Sequence, residues 1–197
     1  MRSFPIYFVL CTALFLSGTA RADHHEKKGV IGDLLMQTEY VQKQIMSLQD
    51  AVPEEKYSWR PAEGVRSIGE VFNHIAFGNY GLLSFGGYTP PEDAGWSMDP
   101  AKWDAGVTDK KGIAERLTKS FDYLKATIAK VTDAELEKEV DFFGNKMSFR
   151  SCLLVTFGHL HEHLGQSIAY ARSNGIVPPW TVEQAKAIKD KMEEKKY

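Results

Sequence analysis

The chain has 197 residues, with 24 basic and 26 acidic side chains, six histidines and only two cysteines. So balanced a charge, with no basic stripe interleaved with aromatics, excludes a nucleic-acid binder, and two cysteines exclude a disulfide scaffold. The length suits one domain able to bury an adequate core.

Residues 1–22, MRSFPIYFVLCTALFLSGTARA, set Arg2 before an apolar run from Ile6 to Leu16 and finish on Ala20-Arg21-Ala22, a small-x-small cleavage pattern. This is the pattern of a secretory signal peptide, and the run falls short of the roughly 20 residues a membrane span needs. Cleavage after Ala22 is therefore expected, giving an exported protein, periplasmic or secreted, with no membrane attachment. Cys11 lies inside the apolar run behind Leu10, which does not fit a lipoprotein signal. Removal of Arg2 and Arg21 would leave 22 basic side chains against 26 acidic ones, a net charge of −4. Cys152 would be the only cysteine left, and between Ser151 and Leu153-Leu154 it is expected to be buried and inert rather than reactive. Residues 23–29, with His24 and His25, read as a disordered terminus, and residues 30–197 as one domain.

Val30 to Ala51 is the first strongly periodic segment, with Ile31, Leu34, Leu35, Thr38, Val41, Ile45 and Leu48 on one helical face. Pro53 ends it, and a connection carrying Tyr57 and Trp59 follows. Ser67-Ile68-Gly69-Glu70 is a capping box that opens a second helix, predicted to reach Phe85 and to bury Ile68, Val71, Phe72, Ile75 and Leu82. His74 lies on the flank of that apolar stripe. From Gly86 to Thr108 the chain turns rich in Gly and Pro around Tyr88, Trp96 and Trp103, a long loop expected to wall a pocket for an apolar or aromatic ligand. The competing reading is that its aromatics only pin it down.

A third helix is predicted from a cap at Thr108 or Asp109 to Val131, then a capping box at Thr132 to Glu135. Two short strand-like runs flank Gly144-Asn145, the expected hairpin turn, before a fourth helix that stops at Asn174-Gly175. A last short helix is expected to start at a capping box from Thr181 to Gln184.

The fourth helix holds the chemistry. At about 100° per residue, His159 and His163 in VTFGHLHEHLGQSIAY fall one turn apart on one face, and His161 points away. That spacing lets two imidazoles meet one metal ion, as in the HExxH helix; core histidines satisfied by backbone carbonyls are the bland alternative. Cys152, Thr156, Gln166 and Tyr170 continue the same stripe. Leu153, Leu154, Phe157, Leu160, Leu164 and Ile168 occupy the other side, so the helix is expected to be buried nearly all round. His74, the one histidine outside the tail and this helix, is the natural third ligand. Glu70, Glu162 and Tyr170 are weak candidates for a general base, and Glu70 for an outer carboxylate.

Four long amphipathic helices with a long crossover predict an all-α four-helix bundle with a short C-terminal helix. The order SWRPAEGVRSIGEVFNHIA, then HxxxH running into GQSIAYARSNGIVPP, resembles the DinB-like superfamily of metal-binding bundles, which includes bacillithiol- and mycothiol-transferase-like proteins. The resemblance spans Asp33 to Pro179. It implies one divalent metal, zinc or nickel, on His74, His159 and His163, and homodimerisation through helix faces. The family often carries His-Arg-Gly-Gln where this chain has His163-Leu164-Gly165-Gln166. An export signal argues against the family's cytoplasmic thiols as co-substrates. The readings that remain are a metal-dependent hydrolase or transferase acting on a small molecule, a non-enzymatic binder of metal or small ligand, and a bundle whose histidines are packing.

Overall fold

The computed structural model describes residues 28–194; the segment expected to be a signal peptide and His24-His25 lie outside the described residues. Four long helices form the bundle: α1 (Gly29–Ala51), α2 (Ile68–Ser84), α4 (Lys110–Ile128) and α6 (Phe149–Ser173). A short helix α3 (Pro100–Gly106) lies in the α2–α4 crossover. Between α4 and α6 come one turn of helix, α5 (Asp133–Leu136), and an antiparallel hairpin of β1 (Glu139–Phe142) and β2 (Asn145–Ser148); α7 (Pro179–Glu194) closes the chain. Among the described residues no helix is long and apolar enough to cross a membrane.

The predicted faces form the core. Leu35, Val41, Ile45 and Leu48 of α1, Val71, Phe72 and Ile75 of α2, and Ile113, Leu117, Phe121 and Leu124 of α4 are wholly buried, with Phe149, Leu153 and Leu160 of α6 beside them. Burying each such side chain contributes about 1.5–3 kcal/mol against exposure, which is why these stripes decide the packing. Both capping boxes are formed. Ser67 Oγ accepts from Glu70 N while Glu70 Oε2 accepts from Ser67 N, and Thr132 and Glu135 do the same. At the end of α6, Gly175 takes φ 75° and Ile176 N–H donates to Ala171 O at 2.9 Å, the glycine stop its sequence announced.

The structure corrects five local expectations. The crossover is not all loop, because Asp99 caps α3 by accepting from Lys102 N, with Pro100 at the first helical position. The hairpin turns one residue earlier than Gly144-Asn145. Phe143 and Gly144 are its central pair, both at positive φ (54° and 84°), and Asn145 pairs with Phe142. Helix α7 starts at Pro179 rather than at a Thr181 cap, since proline is well placed where a helix's first N–H has no partner anyway. Nor is α6 buried all round: Leu154, Val155, Gly158, His161, Glu162, Gly165 and Ala169 form an exposed stripe. Finally, on α2, Leu83 is the buried leucine, and Leu82 faces a pocket.

Candidate metal centre

Helices α2 and α6 pack face to face and bring His74, His159 and His163 together, with one potential ligand atom from each lying within 4.8 Å of the others. The ring centroids are 5.1 Å apart for His74–His159, 4.8 Å for His74–His163 and 4.4 Å for His159–His163. His161 stays outside, exposed, with its ring edge-on to Phe157. The close approach depends on a glycine. A Cβ built on Gly78, one turn beyond His74, would stand 2.3 Å from His159 Cε1, so the imidazole lies directly on the α2 backbone. Gly81, one turn on, makes the same room for Trp96, at 3.0 Å. Glycines inside a helix cost about 1 kcal/mol each relative to alanine, and here they admit rings from another element.

Each imidazole has a distinct setting. Gln166, one turn after His163, places Oε1 2.8 Å from His163 Nδ1 and donates from Nε2 to the Tyr170 hydroxyl at 3.0 Å. An amide oxygen only accepts, so His163 Nδ1 is the donor of this contact and Nε2 is the nitrogen left to face a metal. His74 Nδ1 faces Asp104 Oδ1 at 4.0 Å, and both atoms are buried without a hydrogen-bond partner. His159 Nδ1 is likewise buried and unpaired. Burial, reinforced by the Arg66 guanidinium and His163, pushes His74 down to about 3; burial with His163, His74 and Arg66 does the same to His159. Both rings are neutral at pH 7, the form that binds metal.

Asp104 is the site residue that sequence reading missed. It lies on α3, and three hydrogen bonds beside His74 clamp α3 and its C-cap to α2. Asn73 Nδ2 donates to Asp104 O (2.9 Å) and to Val107 O (2.6 Å), and buried Trp103 donates from Nε1 to Asn73 O (2.9 Å). Arg66 Nε holds Asp104 Oδ2 at 2.6 Å and leaves Oδ1 toward His74. Burial pushes the Asp104 carboxyl up, and Arg66 opposes that. The seven-residue helix amid glycines and prolines carried no long periodic signal. The one hint was Asp99-Pro100, a cap followed by proline.

The other candidates sort themselves. Glu70 is committed to the Ser67 cap and to Arg60 at 3.0 Å, and Glu162 is exposed. Cys152 is fully buried, donates to Leu82 O at 3.4 Å, and has its thiol pushed up to about 11 by burial. Thr156 donates back to Cys152 O, so these two members of the polar stripe are satisfied within the bundle.

Next to the triad a pocket of about 260 Å³ is lined by His74 and His159, by Phe77 and Leu82 of α2, and by Phe85 just past the end of that helix. Trp96, Met98 and Pro100 of the crossover form a wall of it, as the sequence led us to expect. Tyr88 and Trp103 do pin the segment: Tyr88 stacks on Phe149, and Trp103 is buried under Arg116.

The donor set fits a divalent ion. Three imidazoles suit zinc or nickel, and those of His74 and His159 each carry a buried nitrogen without a hydrogen-bond partner. Nitrogens sharing a tetrahedral zinc at about 2.0–2.1 Å stand roughly 3.4 Å apart. The widest separation here, 4.8 Å, needs the rings to rotate inward about χ2, a broad torsion.

Comparison with known proteins agrees with this architecture. The family model of the DinB superfamily matches residues 37–167. The chain is 26% identical over 136 residues to the uncharacterised protein YjoA of Bacillus subtilis, a span of 65% of this chain and 80% of YjoA. The crystal structure of a DinB-like protein from Bacillus cereus superposes with a TM-score of 0.65 at 26% identity, covering 76% of this chain and 95% of that one. That of YjoA superposes with a TM-score of 0.56 at 20% identity, covering 73% and 92%, and bears on the fold alone. With more than half of its length matched by the family model, the chain belongs to the DinB superfamily.

Proposed function

We propose that this protein is an exported metal-dependent enzyme, a hydrolase or transferase acting on a small molecule, with one divalent ion, zinc or nickel, held by His74, His159 and His163. The observation that supports it is the convergence of three histidines, two of which, His74 and His159, line an apolar pocket. Three protein ligands leave a coordination position free, the arrangement of catalytic rather than structural zinc. The ion, when bound, would supply Lewis-acid polarisation of a group brought into the pocket. Gln166 would keep the proton on His163 Nδ1, Asp104 Oδ1 would receive the Nδ1–H of His74, and the crossover wall would exclude water.

The alternative is a non-enzymatic metal-binding bundle. One observation favours it: Asp104, the carboxylate facing the triad, is engaged by Arg66 and does not line the pocket, so no base is evident there. The test is metal content by plasma mass spectrometry on the mature chain, purified without a His tag, beside a His74→Ala/His163→Ala variant. A hydrolase and transferase activity screen follows. One equivalent in the wild type, little in the variant, and turnover lost in His159→Ala support the enzyme. Metal without turnover supports the binder. No stoichiometric metal after reconstitution with zinc and nickel returns the histidines to packing.

A further inference from the structure

The pocket beside the triad has a chemical bias. Its walls are Phe77, Leu82, Phe85, Trp96 and Met98, and among the described residues no acid, lysine or arginine lines it; the polar side chains that line it are the proposed ligands His74 and His159. A charged group moved into such surroundings loses hydration that nothing there replaces. The neighbouring cleft does hold charge, in Arg60, Arg66, Glu70 and Asp104. Those charges are spent on one another, Arg60 with Glu70 at 3.0 Å and Arg66 with Asp104 at 2.6 Å, so no free cation is presented to an anionic substrate.

A second, independent observation sits at the pocket's rim. Phe143, at the hairpin tip, is 69% exposed and has φ 54°, a left-handed conformation that bulky side chains rarely adopt and that Asn or Gly would take without strain. Local propensity and burial both argue against phenylalanine here. Its ring nonetheless packs against Phe85 in a tilted arrangement, centroids 4.7 Å apart, and forms part of the pocket lining. Backbone outliers kept at a site point to a use for the side chain held there. Trp96, which also lines the pocket, has its indole Nε1 buried without a protein partner, a free donor beside the cavity.

We propose that the site takes a neutral small molecule with an aromatic or aliphatic body and a single metal-ligating donor, the body lying between Trp96 and Phe143 and the donor turned toward the histidines. This rests on the metal-centre reading above. It excludes anionic, peptide-like thiols as the preferred class, because the pocket offers no side-chain charge to a carboxylate. Trp96 and Phe143 are then the specificity-determining residues.

The test uses the untagged mature chain loaded with cobalt(II), with cobalt content measured first. Three probes are titrated against its visible absorption: imidazole, 4-phenylimidazole and imidazole-4-acetate. We expect 4-phenylimidazole to bind at least about tenfold more tightly than imidazole, the yield of burying a phenyl ring, and imidazole-4-acetate to bind no better than imidazole. Trp96→Ala and Phe143→Asn should each shrink the phenyl preference. Phe143→Asn should also raise the melting temperature, because asparagine tolerates the left-handed turn, a combination that loss of folding cannot mimic. Equal affinity for all three probes, a preference for imidazole-4-acetate, or a phenyl preference unchanged in both variants overturns the substrate class while leaving the metal centre intact. Failure to take up cobalt overturns the metal centre and this inference with it.

Discussion

Gly78→Ala tests the metal centre without touching a ligand. The added methyl would stand 2.3 Å from His159 Cε1, 2.6 Å from Nδ1 and 3.0 Å from Nε2. Carbon atoms in contact sit about 3.5–4.0 Å apart, so the ring must retreat by more than about 1 Å, against a tolerance of about 0.2 Å in metal–ligand distances. Structural zinc sites bind with about 10–16 kcal/mol over four ligands, roughly 3 kcal/mol per ligand, so losing His159 should weaken zinc binding on the order of a hundredfold. The same substitution improves the α2 helix, since alanine is favoured over glycine by about 0.8–1.0 kcal/mol in a helix interior. The metal-free protein should therefore stay folded and melt within a few degrees of wild type. Competition against a chromophoric zinc chelator, with thermal unfolding in EDTA, reads the two effects separately. Gly158→Ala on the exposed face of α6, where a Cβ meets nothing within 4 Å, is the matched control and should bind zinc normally. Wild-type zinc affinity in Gly78→Ala would refute the argument that His159 reaches the ion only because α2 lacks a side chain there.

Asp104→Asn keeps the backbone carbonyl that Asn73 binds and removes the carboxylate facing His74, so zinc affinity should fall about 10- to 100-fold in the same competition assay, and an unchanged value would remove Asp104 from the site. His161→Ala, on the exposed stripe, should leave zinc affinity within about twofold, the scatter expected of a solvent-facing substitution, and a large loss would mean that α6 is rotated from its described position. Cys152 should be inert to Ellman's reagent at pH 8 in the native state and react fully in denaturant, because burial raises its thiol from the ordinary 9.0 to about 11. The sign for stability follows. The neutral thiol is the folded form, so its contribution is intact below pH 9 and is lost as pH rises through 11, and replacing Cys152 with alanine should flatten that part of an alkaline unfolding curve.

Much of the molecule was legible from order and spacing. The stripes from Ile31 to Leu48 and from Ile113 to Ile128, the Ser67 and Thr132 capping boxes, the Asn174-Gly175 stop and the facing of His159 with His163 are local facts, written within one or two turns of chain. Local hydrogen bonds and a 3.6-residue period leave the same mark in any protein, so sequence determines them. It does not determine which residues from elsewhere come to meet a face. Gly78 carries no signal along its own helix and owes its role to His159, whose ring lies on it, and Asp104 falls in the segment read as loop, which Asn73 and Trp103 draw onto α2 as α3 across some 30 residues. Phe143 reads as a strand residue until the turn closes one position early and turns it toward Phe85. These features were decided by tertiary structure alone, because each depends on distances between segments that packing chooses and that periodicity along the chain does not encode.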